Sequence, residues 1–167
     1  MKDQKVSKLV RAALLAALCF VLTKVVTVPA PTGYVNLGDC AVLVSAWMLG
    51  PVYGGLAAGV GVMLADVLSP YAFYAPGTFL VKFAMAAAAA LIFQSMKGRG
   101  TLAARIVGGI AAEIIMVAGY FIYESLVLGV GAAAVASVPA NVVQGLFGLV
   151  AGVLLAAALE KGNLIVE

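Results

Sequence analysis

Five ionisable residues, Lys24, Asp66, Lys82, Glu113 and Glu124, stand inside long apolar stretches of this chain. A charge in bilayer hydrocarbon costs about 2.5–3.5 kcal/mol on insertion scales, so such groups face a cavity or one another. Glu113, Val117, Tyr120 and Glu124 follow a 4-3-4 spacing, which is one face of a helix. Asn141, Gln144, Gly145 and Gly148 make a comparable face, polar at one end. Two polar loops add Asn36 and Tyr74. Amides, phenols, carboxylates and an amine together suit a small polar heteroaromatic ligand held by hydrogen bonds and ring stacking. The candidate site is therefore Asn36, Tyr74, Lys82, Glu113, Tyr120, Glu124, Asn141 and Gln144. On this reading Lys82→Ala lowers ligand affinity and spares expression. A second reading pairs Lys82 with Asp66 or Glu124, merely locking the helices together. Asp39 reads as a helix N-cap, and Lys24 as a side chain snorkelling to the membrane surface.

Other chemistries lack their parts. Ser45, Ser125 and Ser137 have no histidine to activate them, because the chain contains none, and no GxSxG run occurs. Cys19 and Cys40 form no CxxC pair and read as small buried residues. No enzymatic activity, metal or cofactor is expected. The net charge of +3 comes without a basic stripe interleaved with aromatics, which argues against nucleic-acid binding. No Walker A pattern is present, so any uphill transport needs ATP hydrolysis by another subunit.

The elements that must position these residues are membrane helices. Of the 167 residues, 65% are hydrophobic and 10% charged, and the mean hydropathy is +1.16; soluble domains are about a quarter charged. Six spans of about 20 residues use about 120 residues, leaving only loops. The expected fold is an all-α bundle of six transmembrane helices in a single domain, at approximately 8–28, 39–50, 52–68, 78–95, 102–126 and 138–160. Gly50-Pro51 interrupts the second and third spans, predicting a tight helical hairpin. Ala12/Ala16 and Ala13/Ala17 place small residues four apart on the first span, a spacing that admits another helix closely. Eight of the ten Lys and Arg fall in the N-terminal leader, between spans four and five, and at the C-terminus. The positive-inside rule then puts both termini in the cytoplasm and the loops at 29–38, 69–77 and 127–138 outside.

Four runs carry a resemblance. These are Gly33-Tyr34-Val35-Asn36-Leu37-Gly38-Asp39, Leu49-Gly50-Pro51-Val52-Tyr53-Gly54-Gly55, Ala65-Asp66-Val67-Leu68, and Tyr74-Ala75-Pro76-Gly77-Thr78-Phe79 followed by Lys82. Together with the alanine-rich first helix they resemble the substrate-binding S component of energy-coupling-factor (ECF) vitamin transporters, in particular the riboflavin-type subgroup. The resemblance implies a prokaryotic plasma-membrane protein that captures a water-soluble vitamin or precursor of the riboflavin, pyridoxine/pyridoxamine or hydroxymethylpyrimidine class. It implies partnership with a scaffold subunit and two ATPase subunits. It also implies docking to the scaffold through an Ala-xxx-Ala face, here Ala12/Ala16 or Ala13/Ala17, and a gate over the site at residues 29–38. The alternative from another class is a membrane structural or assembly protein with no small-molecule ligand.

Overall fold

In the computed structural model, residues 2–30 and 33–162 are described. Helix α1 spans Lys2–Val25, beginning earlier and ending earlier than the expected 8–28. It stops where β-branched Val26 and Thr27 and then Pro29 follow, and Thr27–Ala30 forms strand β1. Strand β2, Gly33–Asn36, pairs with it antiparallel, Val28 opposite Val35 and Pro29 opposite Tyr34. The 29–38 stretch, read as an irregular loop, is thus a two-stranded ribbon on an otherwise helical protein. Pro29 fits because both strands are edges and tolerate a missing donor. Pro31, part of the same sequence reading, lies outside the described residues.

Helix α2 covers Gly38–Val67. Its start is set by Asn36, whose Oδ1 accepts the Gly38 N–H at 2.8 Å, an Asx-type turn. The expected spans 39–50 and 52–68 are the two arms of this one element, separated only by Gly50 at φ 78°, ψ −175°. Glycine reaches that backbone region at little cost, and Pro51 restarts the helix behind it. The arms fold back on each other. Ser45 Oγ donates to the Gly54 carbonyl at 3.2 Å, although nine residues of straight helix would hold them about 13 Å apart. A Cβ on Gly54 would lie 2.6 Å from the Ser45 carbonyl, so only glycine allows that approach.

Helix α3, Ala75–Met96, carries Pro76 in its first turn, where the missing N–H has no partner to lose. Helix α4, Thr101–Ile122, runs into a π-turn at Tyr123–Val127. A 3-10 stretch, Gly131–Ser137, then leads to α5, Val138–Lys161. Helix α2 lies at the centre, packed against α1, α3 and α5. Small side chains make the seams: Ala86, Ala89 and Ala90 of α3 are buried, and a Cβ on Gly108 of α4 would come within 2.9 Å of the Ala89 carbonyl. Among the described residues five helices are long and apolar enough to cross a membrane, where six separate spans were expected.

One end of the bundle is closed by Arg105, which makes a bidentate pair with Glu160 and lies between the rings of Trp47 and Phe93. The other end carries the ribbon and the candidate site.

Candidate ligand-binding site

At the ribbon end the helices splay around a cavity of about 70 Å³. One water needs about 10–15 Å³ of such space, so the hollow has room for a few waters. Thr23 of α1, Ala30, Tyr34 and Asn36 of the ribbon, Val62 and Asp66 of α2, Tyr71 and Tyr74 of the following connection, Thr78 of α3, Tyr120 and Glu124 from α4 and its π-turn, and Ala140, Asn141 and Gln144 of α5 line it.

The hydroxyls point their protons at the two carboxylates. Asp66 accepts from Tyr34 through Oδ1 at 2.8 Å and from Thr78 through Oδ2 at 2.5 Å. Tyr120 donates in turn to Thr78 Oγ1 at 3.2 Å. Burial, reinforced by the neighbouring Asp66, pushes the Tyr34 phenol above its ordinary value, so it remains a donor. Glu124 Oε1 accepts from the Tyr74 hydroxyl at 3.0 Å, whereas Glu124 Oε2 is buried without a hydrogen-bond partner among the described residues. The four tyrosines form a continuous aromatic wall, with Tyr34 and Tyr71 centroids 5.5 Å apart and Tyr74 and Tyr120 edge-on at 6.4 Å.

Besides the Tyr34–Asp66 bond, the ribbon is tied down by Gln144. Gln144 Oε1 accepts from the Asn36 backbone N–H at 3.0 Å and from Asn36 Nδ2 at 3.1 Å. The same glutamine donates through Nε2 to Asp39 Oδ2 at 2.6 Å. Asp39, fully buried, is ion-paired with fully buried Lys82. A polar chain therefore runs from the ribbon through α5 into the bundle centre.

The comparisons with known proteins come from three directions. A family model described as "ECF-type riboflavin transporter, S component" matches residues 3–161. The chain belongs to that family. An uncharacterized protein encoded in the gap 3' region of Pyrococcus woesei is 33% identical over 136 residues, covering 81% of this chain and 88% of that protein. A solved structure titled as the S component of a bacterial ECF transporter superposes with a TM-score of 0.67 at 20% identity, covering 94% of this chain and 97% of that one. At that identity the likeness speaks for the fold. The ECF S component family consists of membrane-embedded vitamin-binding transporter subunits and is not an enzyme family.

For this S component, the structure brings together Asn36, Tyr74, Tyr120, Glu124, Asn141 and Gln144 around one cavity. Lys82 and Glu113 are not in its wall. Lys82 lies behind Tyr120, its Nζ 5.4 Å from the ring centroid, and is held by Asp39. It pairs with neither Asp66 nor Glu124. Asp39 is correspondingly not an N-cap: the capping position is Leu37, and the carboxylate points inward. Glu113 shares the face of Glu124 but sits eleven residues earlier, about 16 Å down the helix axis, below a floor made by Tyr120 and Gln144. It is packed against Gly145 and Gly148 and borders an apolar groove lined by Ile114, Val117, Phe121, Val142 and Leu146. Neither carboxylate oxygen has a hydrogen-bond partner among the described residues. Tyr34, Asp66 and Thr78 are cavity residues that the site reading left out; each lies within one of the four runs that carry the family resemblance. Lys24 donates to the Leu68 carbonyl at 2.7 Å and is exposed.

Because Glu113 is off the cavity and unpartnered, Glu113→Met is expected to leave ligand affinity within about twofold and folding stability equal or raised, since an apolar replacement removes an unsatisfied buried group. Titration and thermal unfolding of the purified variant check both, and a tenfold loss of affinity would return Glu113 to the site.

The two alanine pairs also part company. Ala12 is buried and Ala16 packs against the core, while Ala13 and Ala17 are exposed on the outer face of α1.

Proposed function

We propose that this chain captures one small polar heteroaromatic vitamin or precursor, of the riboflavin, pyridoxine/pyridoxamine or hydroxymethylpyrimidine class, at the outer membrane face. A scaffold subunit and two ATPase subunits then drive its uptake. The observation that carries this reading is the cavity beneath the ribbon, walled by four tyrosines, two carboxylates and three amides. Aromatic faces with a few converging hydrogen-bond groups suit a flat polar ring better than an ion or a lipid.

The cluster of Lys and Arg at the end opposite the cavity supports cytoplasmic termini and an outward-facing site. Counting the arms of α2 separately gives six crossings, the first of them short. The ribbon is the gate: it lifts when Asn36 leaves Gln144 and Tyr34 leaves Asp66. The exposed Ala13/Ala17 face of α1 is the surface offered to the scaffold, since close helix contact needs small residues facing outward.

Purification from the native host, followed by absorbance and mass spectrometry of the released small molecules, is the direct test. A stoichiometric vitamin or precursor is expected. A protein that carries none and binds none of the three classes in calorimetry would instead be a structural or assembly component.

A further inference from the structure

The cavity contains two carboxylates, Asp66 and Glu124, and no basic side chain among its described lining residues. The nearest buried cation, Lys82, is committed to Asp39 and separated from the hollow by the Tyr120 ring. Lys24 is exposed at the rim on a backbone carbonyl. Both Asp66 oxygens are engaged by hydroxyls, from Tyr34 and Thr78, and neither of these partners carries a positive charge. Glu124, which lines the cavity, is 4% exposed, and its Oε2 has no hydrogen-bond partner among the described residues. Buried charge without a counter-charge is costly, and tyrosine faces attract cations as well as rings. A cavity lined in this way is complemented by a positive ligand.

We propose that the ligand is a heteroaromatic ring bearing a cationic amine or quaternised ring nitrogen, bound with its positive group toward Glu124 and Asp66 and its ring packed against the tyrosine wall. This rests on the vitamin-capture reading and narrows it: a neutral ring system such as riboflavin satisfies the hydrogen bonds but leaves both carboxylates uncompensated. Asn36, Asn141 and Gln144 then read the ring's neutral substituents.

The test uses the full chain purified in detergent and stripped of bound solutes, titrated with pyridoxamine and thiamine as cations and with pyridoxine and riboflavin as neutral probes. Pyridoxamine and pyridoxine share one ring and differ in an ammonium against a hydroxyl. The tightest binder is expected to be a cation, and pyridoxamine is expected to exceed pyridoxine by about tenfold or more, the worth of a charge-assisted hydrogen bond. Glu124→Gln, which keeps the shape and the acceptor for Tyr74, is expected to close most of that gap, and Asp66→Asn to act in the same direction. Riboflavin or pyridoxine binding tightest, or a cation preference that survives both substitutions, overturns the charge assignment and leaves vitamin capture standing. Failure of all four probes to bind, with no co-purified small molecule, overturns capture itself and this inference with it.

Discussion

Lys82→Ala is expected to cost about 3–5 kcal/mol of folding stability, the usual penalty for stranding one member of a buried ion pair. Lys82 is 1% exposed and Asp39 fully buried, so removing the ammonium leaves a carboxylate held by the Gln144 amide alone among the described side chains. This replaces the sequence-based expectation that the substitution would affect ligand affinity and spare expression. Yield and thermal unfolding in detergent should both fall. The double variant Lys82→Met with Asp39→Asn should recover much of the loss, because it removes both charges and keeps an acceptor for Gln144. A single variant that unfolds at the parent temperature would show that the pair is dispensable. A stable variant with weakened binding would put Lys82 back among the ligand contacts.

The second large effect concerns α1. Ala13→Trp combined with Ala17→Trp is expected to leave ligand binding by the isolated subunit unchanged and to abolish uptake in cells carrying the full transporter. Both positions are exposed in the free subunit, so two indoles fit there, but they prevent the close helix approach that small residues permit. Ala12→Trp is the contrasting control: Ala12 is 8% exposed within the core, and overpacking there typically costs about 1–3 kcal/mol. It should lower stability before it touches uptake. Normal uptake by the Ala13/Ala17 variant would remove this face as the docking surface.

What could be read from the chain followed physical strength. Long apolar runs, the break at Gly50-Pro51 and the clustering of polar residues at one end all reflect rules with large energies behind them, and the cavity gathers six of the eight anticipated residues. Depth was harder. The 4-3-4 spacing put Glu113 on the right face but says nothing of the floor that Tyr120 and Gln144 raise above it. Asp39 misled for a related reason. An aspartate near a helix start suits capping locally, yet here a long-range pairing with Lys82, 43 residues away, outweighed the local preference. The ribbon was missed because Thr27-Val28-Pro29-Ala30 is too short and too interrupted by proline to read as a strand; its partner strand and its bond to Gln144 hold it.

Gly61 of α2 has room only for a hydrogen: a Cβ there would collide with the Ala16 carbonyl and come 2.8 Å from Cys19. Helix α1 is thus seated backbone to backbone on the centre of the bundle through one side while offering Ala13 and Ala17 on the other. At Gly61 no side chain lies between the two backbones, so a pull applied to the outer surface of α1 would pass directly into α2, whose Val62 and Asp66 line the cavity. A partner gripping this helix would turn the subunit as a solid body, and the first helix serves as its handle.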